Sequence, residues 1–230
     1  MAQMQQGITE ALFALREEKI ADFSAKLIPG IEKEKVIGVR LPEIRKLAKS
    51  IDGTEQAEAF LRDLPHRYLE ENHLHSFLIA RTKDYQSCIM QIDRFLPFVD
   101  NWAVCDSLRP TCFKKHKSEL IRDIRRWLQS DRLYTVRFAI GMLMCHFLDE
   151  DFHPEHLEWV VNIQSEEYYL NMMRAWYFAT ALAKQYESTL PLIEAQVLDV
   201  FTQNKTIQKA CESFRVGEKE KKYIKSFKIK

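Results

Sequence analysis

Tyr134-Thr135-Val136-Arg137-Phe138-Ala139-Ile140-Gly141-Met142-Leu143-Met144-Cys145-His146-Phe147-Leu148 is apolar on nearly every side of a helical wheel. A helix of that kind has no face to give to water, so it must be sandwiched between other elements. Leu170 to Ala183 reads the same way. Their chain neighbours differ: Lys117–Leu128 carries a clear polar face. Buried helices alternating with amphipathic ones predict two layers of paired helices.

The rest of the chain agrees. Glycine is scarce, six in 230 residues, prolines fall at segment edges, and strand-like alternation is almost absent. Thr9 to about Lys26 forms one helix or two. Pro42 opens the next helix at its first position, and Gly53 ends it. Thr54 caps a helix running to Leu64. Further helices are expected at Tyr68–Thr82, Asp84–Leu96, Asn101–Arg109, Lys117–Leu128, Arg132–Leu148, Pro154–Asn162, Glu166–Tyr186, Leu192–Phe201, Lys205–Phe214 and Glu218–Phe227. The inner helices begin near Tyr68, Trp102, Tyr134, Tyr169 and Asn204, at intervals of 34, 32, 35 and 35 residues. Two helices per such period suit an α-solenoid. The expected fold is all-α: one domain, residues 1–230, of antiparallel helix pairs stacked into a curve with a concave cleft.

Composition excludes several classes. No apolar run reaches the ~20 residues that span a bilayer. Met1 to Glu10 is polar and carries no secretory signal, so a cytoplasmic address is expected. Five scattered cysteines suit reduced thiols rather than a disulfide framework. No histidine or cysteine pair has metal-ligand spacing, Asp149-Glu150-Asp151 is not a calcium loop, and no phosphate-loop or dinucleotide fingerprint occurs. No cofactor and no metal are expected. The net charge of +1 hides a pattern: residues 101–130 hold 7 Lys/Arg against 3 Asp/Glu, 131–200 hold 4 against 11, and 201–230 hold 9 against 3. Folding could bring the two basic segments to one surface.

The chemistry-bearing stretch is Val99 to Leu108. Pro97 ends what precedes it, Asp100 or Asn101 can cap a new helix, and Pro110 discourages continuation. Trp102 and Asp106, four residues apart, then stand on one helical face. Arg137 is the only formally charged residue of 134–148 apart from His146, and a buried guanidinium needs a carboxylate or a groove where a phosphate arrives. Trp176 lies in the middle of another apolar helix. Trp102, Arg137 and Trp176 are separated by 35 and 39 residues, close to one repeat each. A solenoid would align them along one face with Asp106. Indoles hold cations, a carboxylate stabilises developing positive charge, and an arginine anchors phosphate.

Blander readings stand beside these. Trp102 and Trp176 could be core aromatics, and Asp106 a structural partner of Arg137. Lys114-Lys115-His116-Lys117 and Arg122, Arg125 and Arg126 could be a solvated loop and helix face. The lysine-rich stretch Lys219 to Lys230 could supply phosphate contacts or be a solubilising end.

Gly38-x-x-x-Pro42-x-x-Arg45, Trp102-x-x-x-Asp106, Arg137 and Trp176, in that order and spacing, resemble the AlkD-type DNA alkylation repair family, the HEAT-like-repeat DNA glycosylases. The resemblance covers nearly the whole chain and implies a HEAT-like solenoid. It implies excision of cationic alkylated bases such as 3-methyladenine and 7-methylguanine from double-stranded DNA, by hydrolysis of the N-glycosidic bond. Carried over, Asp106 stabilises the sugar cation and positions water, Trp102 and Trp176 pack against the deoxyribose, and Arg137 holds the backbone or orients Asp106. The family's better-known active members often have a second aromatic beside the first tryptophan; here the neighbours are Asn101 and Ala103. Lys114, Lys115, Lys117, Lys205, Lys209 and Arg215 are the expected phosphate contacts. The partner is then alkylated duplex DNA, and the protein a monomer. A DNA-binding module without catalysis, or a protein-binding scaffold, would use the same fold.

Overall fold

The computed structural model describes residues 2–230. Among them no strand occurs, and 70% of the chain is helical. The chain divides into two compact units, Met1–His116 and Lys117–Lys230. No described helix is long and apolar enough to cross a membrane.

The first unit holds α1 (Ala2–Ala14), α2 (Glu18–Leu27), α3 (Leu41–Ile51), α4 (Glu55–Arg62), α5 (Leu69–Ile79), α6 (Tyr85–Phe95) and α7 (Trp102–Ser107). The segment from Thr9 to Lys26 thus belongs to two helices. Pro42 is the second residue of α3, one place later than expected, because Leu41 already belongs to the helix, and the Thr54 hydroxyl accepts from Ala57 N, as the sequence suggests. The hub is α5, which touches α1, α3, α4, α6 and α7. Its Leu74, Phe77 and Leu78 join Ile8, Leu12, Ile44 and Phe60 in the core.

α5 also buries ionisable groups. The Glu70 carboxylate, 2% exposed, accepts from the backbone N–H groups of Ile37 (2.9 Å), Gly38 (2.7 Å) and Val39 (3.3 Å). Those residues lie in a non-helical connector whose donors have no ladder, so the carboxylate supplies their acceptors. Gly38 has φ +95°, and a Cβ there would lie 2.6 Å from Glu17 O. Only glycine fits that approach. Arg45 lies over the Phe77 ring, 4.5 Å from its centre. The motif Gly38, Pro42 and Arg45 therefore builds the frame of this unit. Glu71 accepts from Thr9 Oγ1 (2.6 Å) and from Arg67 N and Tyr68 N. His66 Nε2 and His75 Nδ1 share a hydrogen bond of 2.7 Å. Their rings stack on Phe60 (4.2 Å) and Phe95 (4.1 Å) respectively. Burial pushes His66 down to about 4. Burial, with the Arg45 charge nearby, does the same to His73, also to about 4.

The second unit holds α8 (Lys117–Leu128), α9 (Leu133–His146), α10 (Glu155–Val161), α11 (Tyr168–Lys184), α12 (Tyr186–Glu194), α13 (Val200–Glu212) and α14 (Glu218–Ile224). α11 is its centre, packed between α9 and α13. Phe138, Tyr177 and Phe178 are wholly buried there. One cation ties three helices: the Arg174 guanidinium bonds Asn171 Oδ1 (2.9 Å), Asp199 Oδ2 (2.7 Å), Val160 O and Val161 O.

One sequence expectation fails. No helix runs from Leu192 to Phe201; α12 ends at Glu194 and α13 begins at Val200. Pro191 sits inside α12 rather than at a segment edge. The true start is Asp199, whose carboxylate accepts from Thr202 N (2.9 Å), while Gln196 takes φ +50° in the link.

Candidate functional site

α7 is short because both of its ends are fixed. Asn101 Oδ1 accepts from Val104 N (3.0 Å), which makes Asn101 the cap, and its amide donates to Asp100 Oδ1 (2.8 Å). At the other end Leu108 N closes onto Cys105 O, ahead of Pro110. Val104 and Cys105 are buried, and Ser76 of α5 donates to Val104 O. Trp102 and Asp106, one turn apart, are half-exposed. Arg109 Nε donates to the Asp106 carbonyl (3.0 Å), so a cation neighbours this carboxylate-bearing end of the helix. Lys114 and Lys115 are exposed on the 3₁₀ turn Cys112–Lys115, which buried Cys112 and Phe113 hold in place.

In the second unit, Arg137 is 5% exposed and donates through Nη1 to Tyr169 O at the start of α11. Its burial suits a positioning group better than an open phosphate clamp. Trp176 does the opposite. Its chain neighbours Ala175 and Tyr177 are fully buried, yet Trp176 itself is 41% exposed. The core-aromatic reading therefore fails for Trp176. With Ala179, Thr180, Lys209, Glu212 and Arg215 it lines a cleft of about 320 Å³. Three of the residues expected from sequence, Trp176, Lys209 and Arg215, thus share one cleft. An indole face beside two cations can lie against a sugar while holding its phosphates.

Other expected cations are already engaged. Lys117 Nζ pairs with Asp151, and Lys205 Nζ donates to Gln208 Oε1 (2.9 Å). Sequence reasoning also missed a larger cleft, about 620 Å³, lined by Arg125, Arg132, Trp159 and Asn162 among others. The Arg125 guanidinium lies 5.3 Å from the Trp159 ring centre, and Trp159 Nε1 donates to Glu155. Arg125 read as solvated because its indole partner comes from another helix. The available signal was Trp159 itself, a tryptophan on a short, otherwise ordinary helix. Among the described residues, no group of three or more His, Cys, Asp or Glu could hold a metal ion.

A family model described as DNA alkylation repair enzyme matches residues 8–212. No curated protein matches the chain. The family match, spanning both units, makes the role one of DNA repair, with DNA as the substrate.

Proposed function

The chain belongs to the DNA alkylation repair enzyme family, and from that membership we propose that it is a monofunctional DNA glycosylase acting on cationic alkylated purines in duplex DNA. The observation that carries this reading is the Trp176 cleft. An indole left 41% exposed between fully buried chain neighbours, in a cleft with Lys209 and Arg215, suits a sugar-phosphate chain better than an apolar core. Helix starts at Leu69, Trp102, Leu133, Tyr168 and Val200 keep the repeat spacing of a HEAT-like solenoid. Five reduced cysteines suit a reducing compartment such as the cytoplasm. We take the active form to be a monomer.

The chemistry asks little of a general acid. A base alkylated at N3 or N7 is already positive and departs neutral, carrying the electron pair of the N-glycosidic bond. The sugar becomes oxocarbenium-like, and water then forms the new bond to C1′ and gives up its proton. Asp106 stabilises the sugar cation and orients that water. Trp102 and Trp176 lie against deoxyribose, and Arg137 acts as a positioning group. Lys114, Lys115, Lys209 and Arg215 meet phosphates. Lys117 and Lys205 can do so once released from Asp151 and Gln208.

The test is release of free 3-methyladenine and 7-methylguanine from methylated duplex DNA, with Asp106→Asn alongside. We expect release by the wild type and a loss of at least about 100-fold in the variant, the scale of removing one preorganised electrostatic group. Wild-type release in the variant overturns the role of Asp106. No release by a folded wild type that binds duplex leaves a DNA-binding protein without excision.

A further inference from the structure

Residues 213–230 lie beyond the stretch matched by the family model and carry seven Lys/Arg against two Asp/Glu. A solubilising tail would be loosely held. This segment is docked. Ile224 is fully buried beneath α14, and Cys211 of α13 meets Lys221 O. The Gln203 side chain, itself fully buried, donates to Phe227 O (3.1 Å). Asn204 grips the next stretch with both ends of its amide: Nδ2 donates to Ile229 O (2.8 Å) and Oδ1 accepts from Ile229 N (2.9 Å). Phe227 and Ile229 are partly buried, whereas Lys225, Lys228 and Lys230 are exposed, as are Lys219 and Lys222 on α14. Lys221 is the exception, paired with Glu218 at 2.8 Å. Ser213 and Arg215, at its start, line the Trp176 cleft.

We propose that this segment is a fixed anchor for the phosphate backbone of duplex DNA flanking the lesion, supplying affinity without lesion selectivity. It rests on the reading that the Trp176 cleft faces DNA. Ammonium groups on flexible stems meet phosphates as point charges and read no base. Holding their backbone in place removes the ordering that a loose tail undergoes on binding. Each phosphate neutralised releases counterions, so the anchor has a measurable salt signature.

The experiment uses the full chain with Lys222→Gln, Lys225→Gln, Lys228→Gln and Lys230→Gln combined, and a second variant with the same four lysines changed to arginine. Affinity for methylated and undamaged duplexes of one sequence is measured across a salt series, with single-turnover base release at saturating enzyme. The glutamine variant should bind both duplexes more weakly by one common factor, about tenfold or more at low salt. Its salt slope should fall by about 2 to 4, near 0.9 for each phosphate no longer neutralised. Release at saturation should be unchanged, and the arginine variant should keep the wild-type slope. An unchanged slope overturns the anchor, as does weakening confined to methylated DNA. An arginine variant as weak as the glutamine one makes the lysines structural and overturns it too. Absence of base release by the wild type bears on the glycosylase reading alone, since the slope change is read without chemistry.

Discussion

The two units are each organised around one buried helix, and those helices are buried by opposite means. α5 places Glu70, Glu71, His73, His75 and Ser76 out of water, whereas α11 buries mostly Leu, Met, Ala, Tyr and Phe. The difference follows from what each helix packs against. α11 lies between α9 and α13, long helices that satisfy their own backbone groups, so apolar packing is sufficient there. α5 lies against the connector at residues 37–39 and the turn at 67–68, where backbone N–H groups lack a ladder. Its carboxylates are the missing acceptors. Irregular backbone next to a core calls for polar side chains inside it.

That contrast breaks most sharply in acid. His66 and His73 are held neutral, near 4 against an ordinary 6.5. Burial of His75 shifts it the same way. A histidine with a lowered folded value contributes its full stability above pH 6.5 and loses it as pH falls toward 4. The loss should approach about 3 kcal/mol for each of His66 and His73. Hydrogen exchange at pH 7 and pH 4.5 should show α5 and residues 37–39 opening first, with α9 and α11 protected. Equal opening of both units would remove the distinction.

Next in size is Glu70→Ala, which strands three buried donors and should destabilise the fold by at least about 3 kcal/mol in urea unfolding. Gly38→Ala should follow at about 2 kcal/mol, from its positive φ and the approach to Glu17 O. Its effect should fall on α2 and α3, leaving exchange in α11 unchanged. Smallest is Asn101→Ala. Losing the α7 cap should lower stability by about 1 kcal/mol. Base release should fall more than thermal stability does, because α7 carries Trp102 and Asp106.

The apolar half of this contrast was legible in the sequence. The all-round hydrophobicity of 134–148 and 170–183 places α9 and α11 in the interior, the Thr54 cap reads directly, and the α7 cap reads as Asp100 or Asn101. Trp102 with Asp106, and Trp176, stand out because indoles at repeat spacing are rare. The polar half was not legible. Glu70 sits on a helix that binds a connector some thirty residues earlier in the chain, and nothing local marks its carboxylate as buried. Burial holds His66 and His75 neutral, and they stack on Phe60 and Phe95, an arrangement set by tertiary packing alone. The helix expected over Leu192–Phe201 failed because the true start is the Asp199 cap.

Arg174 has a mechanical consequence. Its guanidinium holds the last carbonyls of α10, a side chain of α11 and the carboxylate that starts α13. Asp199 answers to two masters, capping one helix and neutralising a cation on another. Sliding α13 along α11 by even a fraction of a turn would break the cap and the ion pair together. This part of the second unit is therefore stiff against shear. A load applied at the cleft lined by Trp176 and Lys209 is carried across the helices rather than absorbed between them.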